Sequence, residues 1–332
     1  MNADPVLVAG AGSWGTALAI LLARNGQPTL LWGRNPKHIA DLQRERRNQR
    51  YLAGATFPAE LTPTTDLTAA LAEARDLMVA LPCAGLRGFL DQVAAHPGPR
   101  RVALACKGLE PGTQRLPHEI VIEILGESTP VAVVSGPTFA AEVARELPTA
   151  VTVATQDQGF SQDLVARLHS KTFRAYTSTD VTGVAIAGAV KNVLAIAAGV
   201  ADGLGFGANA RAALITRGLA EMTRLGRALG GQAETFMGLA GLGDLLLTCT
   251  DDQSRNRRIG LALARGEGIE AAIAALGQVA EGIRTAEPVV QLAARLATEM
   301  PICAQVARLV RGDCTPREAV GELLARDPKP EG

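Results

Sequence analysis

Near the N-terminus, Val6-Leu7-Val8-Ala9 passes directly into Gly10-Ala11-Gly12-Ser13-Trp14-Gly15 and then into an apolar stretch of helical periodicity, Thr16 to Ala23. A core strand, a glycine turn and a helix start, in that order, restrict the fold more than any other feature of the chain. Gly10 lets the backbone turn tightly, Gly12 lets it approach a pyrophosphate, and Gly15 lets the helix pack against the strand. The helix N-terminus offers amide N–H groups and the positive end of its dipole to phosphates. A bare GxGxxG also occurs in ordinary tight turns. Its position between strand and helix is what points to dinucleotide binding, with Ser13 and Trp14 at the mouth of the turn.

The next strand bears on the kind of dinucleotide. Pro28 to Gly33 reads as strand two and ends at Arg34-Asn35-Pro36-Lys37. A site devoted to NAD places Asp or Glu about 20 residues after the glycines, to hold the ribose 2′-hydroxyl. Arg34 stands in that place, with Lys37 nearby, and a cation there suits a 2′-phosphate. The expectation is NADP(H) accepted at least as well as NAD(H), against the plainer alternative of a solvated surface arginine.

At 332 residues the chain exceeds the usual single core, so two domains are expected. Zero formal net charge and 3% aromatic residues leave neither a basic surplus for a phosphate backbone nor a supply of stacking rings, so nucleic acid is not an expected partner. The five cysteines (Cys83, Cys106, Cys249, Cys303, Cys314) are scattered, without a CxxC pair, which predicts reduced thiols in a cytoplasmic protein. His38, His96, His118 and His169 show no ligand spacing and are expected on the surface or in loops, so no metal site is expected. Met1-Asn2-Ala3-Asp4 lacks a basic, apolar secretory start. The most apolar window, Val181 to Leu204, is built from Ala and Gly with Lys191 at its centre, and so reads as a buried helix rather than a membrane span.

Short apolar runs alternate with helical stretches through the first half. Asp76 to Leu81, Arg101 to Cys106 and Pro130 to Ser135 have the continuous β-favouring texture of parallel strands covered on both faces. Leu86 to Ala95 and Leu116 to Leu125 are helical, and Ala150 to Ala154 and Phe173 to Tyr176 extend the sheet. This is a doubly wound, Rossmann-type α/β domain, assigned to residues 1–179. From about Asp180 strand-like runs vanish and Ala, Leu, Gly and Arg recur at helical spacing to Arg326, which predicts an all-α domain over 180–332 with a frayed tail from Asp327 to Gly332.

The remaining candidates are polar groups in apolar or glycine-rich settings. Lys107 follows the strand RVALAC and precedes Gly108, outside the carboxyl end of a sheet strand where ligands of open α/β folds bind. It is placed to meet an anion, or else is a solvent-facing loop lysine. Lys191-Asn192 lies in the Ala/Gly helix with Ala187, Gly188, Leu194 and Ala195 as helical neighbours. Burial disfavours its charge and lowers its pKa toward proton exchange with a reacting hydroxyl or carbonyl; the alternative is a structural ion pair. Asp244 and Thr248 share a helix face at i, i+4, although Asp244 equally fits a plain N-cap. Ser254 reads as an N-cap opening a helix through Leu263, which sets Arg255 and Asn256 at a positive helix end suited to a phosphate or carboxylate, or in an exposed arginine-rich turn.

GAGSWGTALA, Lys107-Gly108, Ser135-Gly136-Pro137-Thr138-Phe139-Ala140, Ala189-Val190-Lys191-Asn192, Gly241-Leu242-Gly243-Asp244, Ser254-Arg255-Asn256 and Val279-Ala280-Glu281-Gly282 together resemble the bacterial NAD(P)-dependent glycerol-3-phosphate dehydrogenases. The ordered set spans nearly the whole chain. The resemblance implies Lys191 as proton donor and acceptor, and a substrate shell of Lys107, Gly136, Thr138, Asn192, Asp244, Ser254, Arg255 and Asn256, with Thr248 orienting substrate hydroxyls beside Asp244. It implies cofactor contacts at Ser13, Trp14, Arg34, Lys107, Ala140, Arg255, Val279 and Glu281. Thr138 stands where many relatives carry Ser, which keeps a hydroxyl. The expected activity is reversible reduction of dihydroxyacetone phosphate, by a homodimer, for phospholipid synthesis. Its rivals are a β-hydroxyacid or ketopantoate-type reductase acting on a carboxylate, and a non-catalytic nucleotide sensor.

Overall fold

The computed structural model describes residues 4–96, 98, 100–278 and 280–326. Met1–Ala3, Val279 and the expected frayed tail, 327–332, lie outside them. The chain divides into two compact units, one comprising 1–107 and 115–185, the other 108–114 and 186–332.

The first unit is an eight-stranded sheet with helices. In chain order its elements are β1 (Val6–Ala9), α1 (Ser13–Arg24), β2 (Thr29–Trp32), α2 (Pro36–Glu45), β3 (Arg47–Asn48), β4 (Leu52–Thr56), β5 (Leu61–Thr64), α3 (Leu67–Glu73), β6 (Asp76–Val79) and α4 (Leu86–Ala94). There follow β7 (Arg101–Leu104), α5 (Pro117–Leu125), β8 (Val131–Ser135), α6 (Ala140–Ala144), β9 (Thr149–Thr155), α7 (Gln158–Leu168) and β10 (Phe173–Ser178). The sheet order is β10-β9-β8-β7-β6-β1-β2-β5, with β3 and β4 forming a separate antiparallel pair. The chain winds outward from β1 to β5 and then returns through β6 on the other side of β1, so the topological switch lies between β1 and β6. Ala9 pairs in parallel register with Trp32 on one side and Val79 on the other, which sets the glycine turn outside the carboxyl ends at that switch.

Continuous apolar sequence makes these strands because both faces are covered. Leu7, Val8, Leu31, Val79 and Leu104 are fully buried, as are Leu18, Ile20 and Leu22 of α1. The runs 150–154 and 173–176 extend the sheet as expected, but β9 pairs antiparallel with β8, and β10 runs parallel to β9. A strand covered on both faces has the same side-chain texture in either direction, so the apolar run does not encode the reversal. β5 is an edge strand, which is why its Pro63 is tolerated there.

At the opposite, amino end of the strands a buried ion network ties the sheet to α7. Asp76 accepts two hydrogen bonds from Arg101, at 2.6 and 2.7 Å, and lies 3.2 Å from Arg167 Nε. Arg101 also donates to Asp163 at 2.6 Å and lies over the Phe160 ring. Its pKa stands above the ordinary arginine value, chiefly through the bonds to Asp76. His118 corrects the surface assignment of the histidines: it is buried in the first turn of α5, and burial lowers its pKa, opposed by Glu119. A lone histidine beside the charged Glu119 carries no burial signal of its own, although it sits at the start of the apolar helix Pro117–Leu125.

The second unit is all-helical: α8 (Val181–Gly203, whose first turns belong to the other unit), α9 (Gly207–Ala228), α10 (Ala233–Met237), α11 (Asp244–Thr250), α12 (Arg255–Ala264), α13 (Ile269–Leu276), α14 (Glu281–Arg295), α15 (Pro301–Arg311) and α16 (Pro316–Leu324). α8 is long and apolar enough to cross a membrane, yet its most apolar window is wholly buried within the protein. Its C-terminal half crosses α12 at backbone contact. A Cβ added at Gly199 would stand 2.0 Å from the Arg257 carbonyl oxygen, and one at Gly260 2.1 Å from that of Ile196. The crossing is locked by Arg257, which donates to Asp202 at 2.7 and 3.1 Å, while Arg211 donates to the other Asp202 oxygen at 2.9 Å. Elsewhere, buried Glu221 of α9 accepts the N–H groups of Ile302 and Cys303 at the start of α15, at 2.6 and 3.2 Å. Desolvation pushes its carboxyl up to about 7 despite those bonds.

Candidate active site

The lysine singled out in α8 is not surrounded by apolar groups alone. Lys191 is 6% exposed, and its Nζ donates to Asp244 Oδ1 at 2.5 Å and to Thr248 Oγ1 at 2.9 Å. A π-helical turn, Leu239–Gly243, delivers Asp244 as the first residue of α11. Gly241 has no room for a side chain, since a Cβ would meet the Phe236 carbonyl oxygen at 2.1 Å. Asp244 therefore does not act as a plain N-cap: Gly243 precedes the helix, and the carboxylate, 1% exposed, faces Lys191. Thr248 lies one turn on, as its i, i+4 spacing requires, and donates to the Asp244 backbone carbonyl at 2.6 Å. With its proton spent there, its lone pairs are left to receive the ammonium. A carboxylate and a hydroxyl thus satisfy the buried amine and fix its orientation, the geometry of a buried ion pair. Cys249 beside them is pushed up to about 12 by burial and stays a thiol.

Ser254 is the N-cap expected from sequence: its Oγ accepts the Arg257 N–H at 3.2 Å, opening α12. Arg255 and Asn256 occupy the first two helical positions, and their backbone N–H groups have no partner among the described residues, so the helix presents donors and a positive end. Arg255 is exposed to solvent, and partial desolvation by its surroundings lowers its pKa somewhat, with Glu281 opposing. Glu281, first residue of α14, has its carboxyl raised by desolvation against the pull of Arg284 and Arg255. Asn256 bonds Asn192 at 2.9 Å and accepts the Gly282 N–H at 2.9 Å. Lys191, Asn192, Asp244, Thr248, Ser254, Arg255 and Asn256 are thus gathered in one unit. The link through Gly282 is not legible in the sequence, because it joins residues 26 positions apart on two helices.

In the first unit the tight packing expected of the glycine turn is present at Gly10 and Gly15. Gly10 has φ +119°, and a Cβ there would stand 2.7 Å from the Ala80 carbonyl oxygen. At Gly15 a Cβ would lie 1.9 Å from the Gly10 carbonyl oxygen, whereas nothing lies within 4 Å at Gly12. The buried indole Nε1 of Trp14 has no hydrogen-bond partner among the described residues. Space above Gly12, the uncapped start of α1 and an unspent indole donor fit a dinucleotide. Arg34 is exposed just beyond β2, beside Asn35, which caps α2 by accepting the His38 N–H. Lys107 follows the end of β7, Gly136 and Thr138 lie between β8 and α6, and Ala140 is the first residue of α6. Gly136 is packed on β9, where a Cβ would meet the Ala150 carbonyl oxygen at 2.8 Å, and Thr138 donates to the Gly136 carbonyl at 3.2 Å. Because β1, β2, β7 and β8 belong to the parallel part of the sheet, these residues share its carboxyl edge with the glycine turn. Val279 lies outside the described residues.

A dinucleotide turn at the switch of a doubly wound sheet, followed by a helical unit with a buried lysine–carboxylate pair, defines a two-domain nicotinamide-dependent dehydrogenase. Comparison with known proteins narrows the class. Residues 5–161 match the family model of the NAD-dependent glycerol-3-phosphate dehydrogenase N-terminus, and residues 180–321 match that of its C-terminus. The chain is 56% identical over 326 residues to a glycerol-3-phosphate dehydrogenase [NAD(P)+] of Nitrosococcus oceani, covering 98% of this chain and 95% of the relative. It is 55% identical over 332 residues to one of Thioalkalivibrio sulfidiphilus, covering 100% of both. Among solved structures, glycerol-3-phosphate dehydrogenase of Coxiella burnetii superposes with a TM-score of 0.95 at 48% identity, covering 97% of this chain and 99% of that one. The chain belongs to the NAD-dependent glycerol-3-phosphate dehydrogenase family.

Proposed function

We propose that this enzyme reduces dihydroxyacetone phosphate reversibly to sn-glycerol 3-phosphate with NADPH or NADH, as a cytoplasmic homodimer supplying glycerophospholipid synthesis. The observation that carries the reading is the Lys191–Asp244–Thr248 cluster, in the same helical unit as the donor-rich start of α12. The nicotinamide, when bound, supplies the hydride to C2 of the ketone and takes it back in the reverse direction. Lys191 Nζ gives its proton to the carbonyl oxygen as negative charge develops, and Asp244 and Thr248 hold that ammonium in line. Arg255, Asn256 and the first turn of α12 anchor the substrate phosphate above the Ser254 cap. Lys107 adds positive potential, with Gly136 and Thr138 completing the substrate shell. Gly10, Gly12, Ser13, Trp14 and Gly15 bind the pyrophosphate side of the cofactor, Arg34 faces the 2′-phosphate, and Ala140, Arg255, Val279 and Glu281 make further cofactor contacts.

The test is consumption of NADPH and of NADH with dihydroxyacetone phosphate, unphosphorylated dihydroxyacetone and ketopantoate side by side. Turnover with the phosphorylated ketone alone supports the reading, and turnover only with ketopantoate overturns it. Arg34→Ala should lower the preference for NADPH over NADH; an unchanged ratio removes Arg34 from the 2′-phosphate. Lys191→Ala should cost about 10²–10⁴-fold in kcat, the usual worth of general acid catalysis, with NADPH affinity within a few-fold. Near-wild-type turnover would remove Lys191 from the chemistry.

A further inference from the structure

Asn192 and Asn256 form a relay whose polarity is set by backbone at both ends. Asn192 Nδ2 donates to the Gly188 carbonyl at 3.3 Å, Asn192 Oδ1 accepts from Asn256 Nδ2 at 2.9 Å, and Asn256 Oδ1 accepts from the Gly282 N–H at 2.9 Å. A carbonyl only accepts and a backbone N–H only donates, so neither carboxamide is free to turn over. Flipping Asn256 would set its amide nitrogen against the Gly282 N–H and its oxygen against Asn192 Oδ1. Flipping Asn192 would set its oxygen against the Gly188 carbonyl and its nitrogen against that of Asn256. Both side chains are buried, at 6% and 7% exposure, where water cannot relieve such mismatches. Gly282 is held to zero side chain by the same cluster, because a Cβ there would stand 2.4 Å from the Asn192 carbonyl oxygen and 2.8 Å from Asn256 Oδ1.

The consequence falls at the start of α12. With its oxygen spent on Gly282 and one N–H on Asn192, Asn256 has only its second amide N–H left to offer. That donor adds to the unclaimed backbone N–H groups of Arg255 and Asn256, so the helix start presents donors. A phosphate dianion brings acceptors alone, and a carboxamide turned the other way would oppose it with an oxygen. We infer that Asn192 is a positioning residue: acting through Asn256, it fixes the donor-outward amide on which phosphate recognition depends. This rests on the proposed function, and it recasts Asn192 from a substrate contact into the holder of one.

A double-mutant cycle tests it, with Asn192→Ala, Asn256→Ala and the pair, read as KM for dihydroxyacetone phosphate, kcat, and affinity for inorganic phosphate by calorimetry. Asn192→Ala should raise KM and weaken phosphate binding by about tenfold, the usual scale for an unmade buried hydrogen bond, and change kcat far less. In the Asn256→Ala background it should add less than about twofold. Multiplicative effects would show that Asn192 meets the substrate by itself and would overturn the inference, as would a loss confined to kcat. Should Asn192→Ala not fold, Asn192→Ser, too short to accept from Asn256, takes its place in the same cycle, with the same criteria. Wild-type enzyme that binds phosphate through the relay but does not turn over dihydroxyacetone phosphate would sink the activity and keep the relay. Wild-type enzyme that does neither would sink both.

Discussion

Gly199→Ala should damage both stability and catalysis, although residue 199 lies two turns of α8 beyond Lys191. The new Cβ would stand 2.0 Å from the Arg257 carbonyl oxygen, 2.9 Å from its carbon and 3.0 Å from Gly260 Cα. All three are backbone atoms of α12, so no rotamer change relieves the clash. Ordinary contact begins at 3.4 Å, so the two helices must part locally by 1.4 Å, the difference between those distances. Overpacking of this kind costs about 1–3 kcal/mol, and a collision with backbone belongs at the upper end. For a unit of roughly 150 residues, about 3 kcal/mol corresponds to a fall in Tm of about 6–12 °C. The same displacement carries the start of α12 away from α8, stretching the 2.9 Å Asn192–Asn256 bond and the Arg257–Asp202 pair. A misplacement of about 1 Å at a reacting site costs on the order of 10²-fold, so kcat/KM for dihydroxyacetone phosphate should drop by about that factor. Calorimetry and steady-state kinetics on the purified variant read both numbers. Gly321→Ala serves as the control: it is a helical glycine of α16 with nothing within 4 Å of the added Cβ, and it should stabilise by about 0.5–1 kcal/mol. Wild-type Tm and kcat/KM in Gly199→Ala would refute the claim that the crossing sets the site.

Asp76→Ala should cost about 3–5 kcal/mol in urea denaturation, because it leaves Arg101 and Arg167 buried without their shared carboxylate; a loss below about 1 kcal/mol would show the network to be dispensable. Glu221→Gln should flatten the dependence of Tm on pH. The folded-state pKa of Glu221 is raised from 4.5 to about 7, so the fold favours its neutral form. Its contribution, on the order of 3 kcal/mol, is full below about pH 4.5 and lost as pH rises through about 7. Parallel Tm–pH curves for wild type and variant would place the titration elsewhere.

The sequence disclosed those parts whose function demands particular residues at fixed spacing. The glycine turn could be read with its strand and helix because Gly10 and Gly15 each admit no Cβ. Ser254 declared its helix because capping is a local, i to i+3 affair. What stayed hidden depends on partners far away in the chain. Asp244 read equally as a cap until Lys191, 53 positions earlier, was seen against it. The Asn192–Asn256–Gly282 relay joins three helices through separations of 64 and 26 residues, and an asparagine gives no sign of which way its amide faces. The reversal of β9 escaped because strand direction lives in the hydrogen-bond ladder, which side-chain texture does not record.

The seven residues 108–114 belong with the helical unit, although the chain enters the first unit again at Arg115. Gln114 donates to Gln291 at 2.9 Å and accepts from Arg295 at 3.2 Å, contacts spanning 177 and 181 residues. Those loops are longer than the ones that join α8 to α12 and α9 to α15, whose bonds span 64 and 81 residues. Among the contacts that tie the helical unit together, the strap on α14 therefore closes the longest loops and carries the largest closure cost. A fragment cut at residue 186 would lack that strap altogether, and with it the buried Leu109 and Glu110.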